Sequence, residues 1–173
     1  MRWESLFADM EAQLAAGRLA DVRADVAELA RAERASITLA ARARSSVGRP
    51  VRVLVGNDVL EGQLLDAAPE WLLLATSSVR RALVPVAAAV AVDGLAPHAA
   101  PSAGAVESRL GLGHALRALA RDRVAVRVRA GGADLTGRIE RVGADHLDLT
   151  DSDGVRRGGW AVAFAQLQVV QTG

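Results

Sequence analysis

The chain has 173 residues, 51% of them hydrophobic and 24% charged, which excludes a disordered polar chain. A formal net charge of +1 gives no global attraction to nucleic acid, and the lack of cysteine excludes disulfides, thiolate metal sites and cysteine nucleophiles. Only 3% of residues are aromatic, so any core is built from Val, Leu and Ala, and all 21 basic residues are arginine.

From the start of the chain, Trp3, Leu6, Phe7, Met10 and Leu14 fall on one face of an amphipathic helix that is expected to end near Gly17. The charges Arg2, Glu4 and Asp9 among the first ten residues do not fit a signal peptide. A longer helix is expected from Leu19 to Ser46, with Leu19, Val22, Val26 and Leu29 in alternating 3-4 spacing. Its acids, Asp21, Asp25 and Glu28, come early and Arg42 and Arg44 late, which suits the helix dipole.

The period then changes to two. Val51, Val53 and Val55 alternate with Arg52 and Leu54, and a turn comes next at Gly56-Asn57-Asp58. Gly62 sits inside the next strand, where glycine marks a sharp bend or a close backbone approach. Further strands are expected at Trp71–Ala75 and Arg80–Pro85, with a last one ending near Val92 after a tight turn at Val86-Ala87-Ala88. The apolar run from Ala82 to Val92 is too short to span a bilayer as a helix, so the chain is expected to avoid membranes and act in the cytoplasm. Residues 96–104, with Pro97 and Pro101, read as a linker.

The chain after the linker repeats the chain before it. An offset of 75 residues places Val51, Arg52, Val53, Gly56, Leu60, Gly62, Leu72 and Leu74 on Val126, Arg127, Val128, Gly131, Leu135, Gly137, Leu147 and Leu149. Past Leu149 the second copy gains about three residues, and Leu83-Val84-Pro85-Val86 falls on Ala161-Val162-Ala163-Phe164. The repeated unit is a helix, Val106–Asp122 in the second copy, followed by strands at Val124–Arg129, around Gly137, at His146–Thr150 and at Arg156–Ala163, with a last one ending near Val170. The expected organisation is an N-terminal helical region over 1–46, a first barrel over 47–95, the linker, and a helix plus second barrel over 105–173. The expected fold class is α+β: N-terminal helices and two tandem five-stranded small β-barrels, each preceded by a helix.

The stretch Val51-Arg-Val-Leu-Val-Gly…Leu60-Glu-Gly62…Trp71-Leu-Leu-Leu74 resembles the first motif of Sm-like (SH3-like) barrels, as does Val126 to Leu149. Over nearly its full length the chain is also similar to a family of actinobacterial proteins. The stretches that carry this likeness are Met1–Asp9, Leu110–Arg123 and Arg141–Leu149. The Sm-like resemblance implies small barrels that assemble into oligomers and bind RNA. Such barrels hold bases with Asp and Asn between strands two and three and Arg-Gly before the last strand. Here the loops offer Asp66 without Asn, and Asp145 with Asp148, and neither copy has Arg-Gly.

Two basic stretches occupy equivalent places. Arg42, Arg44, Arg49 and Arg52 come with no acid between them, and Arg117, Arg121, Arg123, Arg127 and Arg129 come with Asp122 alone. Each runs from a helix end into a first strand and could contact phosphates, or could cover a solvated face. No aromatic is interleaved, so base stacking is not expected. His98, His114 and His146 lack metal-ligand spacing, and no nucleophile motif is present, so no metal, cofactor or catalytic residue is expected. The leading expectation is a non-enzymatic nucleic-acid-binding module, RNA before DNA. The alternative is a scaffold that self-associates as a homo-oligomer or binds partner proteins.

Overall fold

Helix α1 runs unbroken from Arg2 to Ala35. In the computed structural model residues 2–101, 110–151 and 159–173 are described. The helix passes straight through Gly17, where the sequence suggested an end. One glycine costs a helix only about 1 kcal/mol relative to alanine, and its alanine, arginine and leucine neighbours are strong helix formers. The helix expected from Leu19 to Ser46 instead breaks at Ser36–Thr38. Thr38 is the reason: it adopts an extended backbone and its side chain accepts a 3.1 Å hydrogen bond from the Ala41 amide, which caps a new helix. The residues Met1–Ile37 form one compact unit and Thr38–Gly173 a second. Trp3, Phe7, Met10, Leu14, Leu19, Val22, Val26 and Leu29 of α1 are all exposed. No helix among the described residues is long and apolar enough to cross a membrane.

The second unit opens with α2 (Leu39–Arg44), which buries Ala40 and Ala43. Five strands come next: β1 (Pro50–Val55), β2 (Asp58–Ala67), β3 (Trp71–Ala75), β4 (Arg81–Pro85) and β5 (Ala89–Asp93). Then come α3 (Leu112–Asp122), β6 (Ala125–Ala130), β7 (Ala133–Val142), β8 (His146–Asp151), β9 (Gly159–Ala163) and β10 (Leu167–Thr172). The alternation read from the sequence sets the inward faces. Val51, Val53 and Val55 of β1 are buried, as are Val126, Val128 and Ala130 of β6. The first residues of the helix expected at Val106 and of the strand expected at Arg156 lie outside the described residues.

The ten strands form one antiparallel sheet in the order β5-β1-β2-β3-β4-β10-β6-β7-β8-β9. This overturns the expected pair of closed five-stranded barrels. Neither half closes on itself, because β5 pairs only with β1 while the outer edge of β4 is taken by β10 from the other half. At that joint Leu83 faces Val170, Ala82 faces Gln171 and Arg81 faces Thr172. The two cores interlock across it: Leu83 packs with the core of the second half and Val169 with that of the first.

Within each half the register repeats. Val53 pairs Leu60 and Val92, while Val128 pairs Leu135 and Val170. A β-bulge falls between Leu64 and Asp66 in β2 and between Ile139 and Arg141 in β7, at equivalent positions. The two strand-interior glycines are required by close backbone approach. A Cβ at Gly62 would lie 2.3 Å from the Ala75 carbonyl oxygen, and one at Gly137 would lie 1.9 Å from that of Thr150.

The two halves are also tied by polar contacts. Glu70 Oε2 accepts a 2.7 Å hydrogen bond from the Leu112 amide, so a carboxylate of the first half caps the positive end of α3, whose own cap position is Gly111. The indole of Trp71 donates a 2.8 Å bond to the Leu110 carbonyl.

Candidate nucleic-acid interface

The nine arginines of the two basic stretches do not form equivalent surfaces. In the first half they are mostly engaged. Arg42 donates from Nε to the Ala96 carbonyl at 2.9 Å, and Arg44 donates to the Pro101 carbonyl. Both thereby hold the segment after β5 against α2, helped by the Ser46 hydroxyl, which accepts from the Ala96 amide at 2.8 Å. Arg52 pairs with Asp93 through Nε and Nη2 at 3.1 and 2.8 Å. That guanidinium, together with the Gly94 amide, holds the Asp93 carboxyl below its ordinary range. Arg49 is exposed before β1.

In the second half the stretch divides in two. Arg127 donates to both carboxylate oxygens of Asp134 at 3.0 and 2.9 Å, which raises its own pKa and lowers that of the aspartate. Arg129 reaches back to Asp58 across the joint between the halves, its side chain largely buried. Both arginines are therefore already paired with carboxylates.

Arg117, Arg121 and Arg123 instead line a groove of about 970 Å³ between α3 and β7. Arg117 and Arg121 lie four residues apart and so share a helix face, with His114 one turn earlier. The opposite wall is β7, which contributes Arg138, Glu140 and Arg141. The bulge after Ile139 breaks the alternation, so Glu140 and Arg141 are both exposed although adjacent. Arg141 is held by Asp148, which accepts from its Nε at 2.8 Å. Among the described residues the groove thus gathers five guanidinium groups against one lining carboxylate, Glu140.

Arg123 sits there at a backbone cost. Its φ of 51° places it in the left-handed region, where a non-glycine residue loses about 1–2 kcal/mol. The equivalent residue of the first half is Gly48, with φ of 87°. The other groove positions differ in the same sense. Where the second half has His114, Arg121, Arg138 and Arg141, the first has Leu39, Ser46, Gln63 and Asp66. The basic groove belongs to one copy alone.

Arg138 and Arg141 are additions that the reading of linear basic stretches missed. Arg138 was visible as an outward position in an alternating strand, but its nearness to α3 is a tertiary fact. Compared with protein-family models and with curated protein sequences, the chain matches none.

Proposed function

We propose that the protein is a cytoplasmic, non-enzymatic nucleic-acid-binding module that grips the phosphates of RNA, and of DNA second, in the groove between α3 and β7. The observation that supports this reading is the convergence of Arg117, Arg121, Arg123, Arg138 and Arg141 on one open groove in a chain of net charge +1. Guanidinium groups match phosphate geometry bidentately, and a groove lined by one sign of charge concentrates its counter-ion. Among the described residues the lining holds no Phe, Tyr or Trp, so binding rests mainly on phosphate contact rather than base stacking and is largely insensitive to sequence. The test is a titration of the whole chain into labelled single-stranded RNA and duplex DNA at low and moderate salt, followed by fluorescence anisotropy. Binding that weakens steeply with salt supports the reading, and no binding at low salt refutes it.

A second reading, a self-associating scaffold, is favoured by a different observation: among the described residues the sheet carries an open strand edge at each end.

A further inference from the structure

Helix α1 has no single apolar face. At about 100° per residue, Trp3, Phe7, Met10 and Leu14 form one stripe, and Leu19, Val22, Val26 and Leu29 form another about 110° further round. These eight side chains are 51–73% exposed, and every residue from Phe7 to Leu29 faces solvent. Two stripes pointing in different directions cannot both be covered by one straight helix lying alongside, because such a seam stays on one side of the helix.

The stripes change over at Gly17. A Cβ added there would meet nothing within 4 Å, so the straight helix has no steric need for glycine at this position. Glycine weakens a helix interior, yet it is the favoured residue where a helix ends in a left-handed turn. The apolar positions are also mirrored about Arg18. Phe7 lies as far before it as Leu29 lies after it, and the same holds for Met10 with Val26 and for Leu14 with Val22. Folded back on each other, the two halves would therefore meet layer by layer, as the core positions of paired antiparallel helices do.

We propose that α1 is the open form of a helical hairpin that closes at Gly17 and Arg18, laying Phe7 on Leu29, Met10 on Val26 and Leu14 on Val22. A connection of about two residues is long enough to join antiparallel helices. Closure hides both stripes at once, since each is the cover of the other, and opening presents them in two directions. Residues Met1–Ile37 form a compact unit of their own, so the change is confined to that unit. The device is independent of the arginine groove and is tested without nucleic acid.

The chain has no cysteine, so two introduced thiols take spin labels specifically. Ala8→Cys/Ala32→Cys places both at exposed positions outside the stripes. Along a straight helix these Cα atoms lie roughly 36 Å apart, whereas in the hairpin, with axes about 8–10 Å apart, they lie within about 15 Å. Electron dipolar spectroscopy of the full chain is expected to show the short distance, and to keep it when the labelled chain is diluted into an excess of unlabelled chain. Adding Gly17→Ala should reduce the short-distance share at least ~10-fold, because alanine disfavours the left-handed turn and favours the continuous helix. Circular dichroism establishes that each variant is folded. A long distance alone overturns the proposal. So does a short distance that vanishes on dilution, which marks pairing between copies, and so does one that Gly17→Ala leaves unchanged.

Discussion

Replacing Arg117 and Arg121 with alanine tests the groove most directly. Both are exposed on α3, and alanine is the best helix former, so the helix should persist. Of the five groove arginines, Arg141 is already held by Asp148, which leaves four guanidinium groups to neutralise phosphate. For a single strand the slope of log K against log salt is then about −2.8, at roughly −0.7 for each phosphate neutralised. Between about 50 and 200 mM salt the parent chain should lose affinity ~50-fold. With two arginines removed the slope should fall to about −1.4 and the loss to ~7-fold over the same range. Anisotropy of a labelled RNA at four or five salt concentrations measures both slopes. The control is Arg49→Ala, exposed in the first half and remote in role from the groove, which should leave the slope unchanged. An unchanged slope in the double variant, or an equal drop in the control, would refute the assignment of phosphate contact to this groove.

Three further outcomes are expected from the fold. Gly137→Ala should destabilise the second unit by roughly 1–3 kcal/mol or prevent its folding, since the new methyl meets the Thr150 backbone rather than a side chain that can move; urea unfolding against the parent chain measures it. Asp58→Asn should cost about 1–2 kcal/mol, because it leaves the largely buried Arg129 side chain without its carboxylate partner, and an unfolding midpoint equal to the parent would contradict the role given to this cross-half pair. The carboxyls of Asp93 and Asp134 titrate below their ordinary range because arginines hydrogen-bond them. A lowered native pKa means that the unfolded chain takes up protons first, so their contribution is present above the ordinary aspartate pKa of about 3.9 and is lost as pH falls through the lowered values. Thermal scans should show a small loss of stability in that acid window, smaller in Asp134→Asn, and the exposure of both pairs keeps the effect slight.

Much of the local structure was legible in the linear chain. The alternation at Val51, Val53 and Val55, the matching valines of β6, the tight turn at Val86–Ala88 and the strand-interior glycines at 62 and 137 all depend on neighbours within a few residues, and all reappear in the strands. The 75-residue offset reappears as a shared register, down to the position of the bulge. The break at Thr38 was also local but was outweighed by the helical spacing on either side, because a capping bond competes with helix continuation at a single residue. For the basic stretches, the chain told which residues were charged and not which were already spoken for. Arg129 finds Asp58 from the other half and Arg42 finds the Ala96 carbonyl, contacts that no spacing rule supplies.

By itself the sequence determined the faces of the strands, the duplication and the composition of the core, because side-chain period and glycine placement act over one or two turns of chain. Tertiary structure alone decided that β10 would pair with β4, so that two expected barrels became one ten-stranded sheet, and that Arg138 and Arg141 would face α3. The physical reason is that a strand's pattern specifies which side it buries but not which edge it meets. In a duplicated chain the two halves offer nearly identical edges, and contacts across the joint select between them: the packing of Leu83 and Val169 into each other's cores, the bonds of Glu70 and Trp71 to the start of α3, and the Arg129–Asp58 pair.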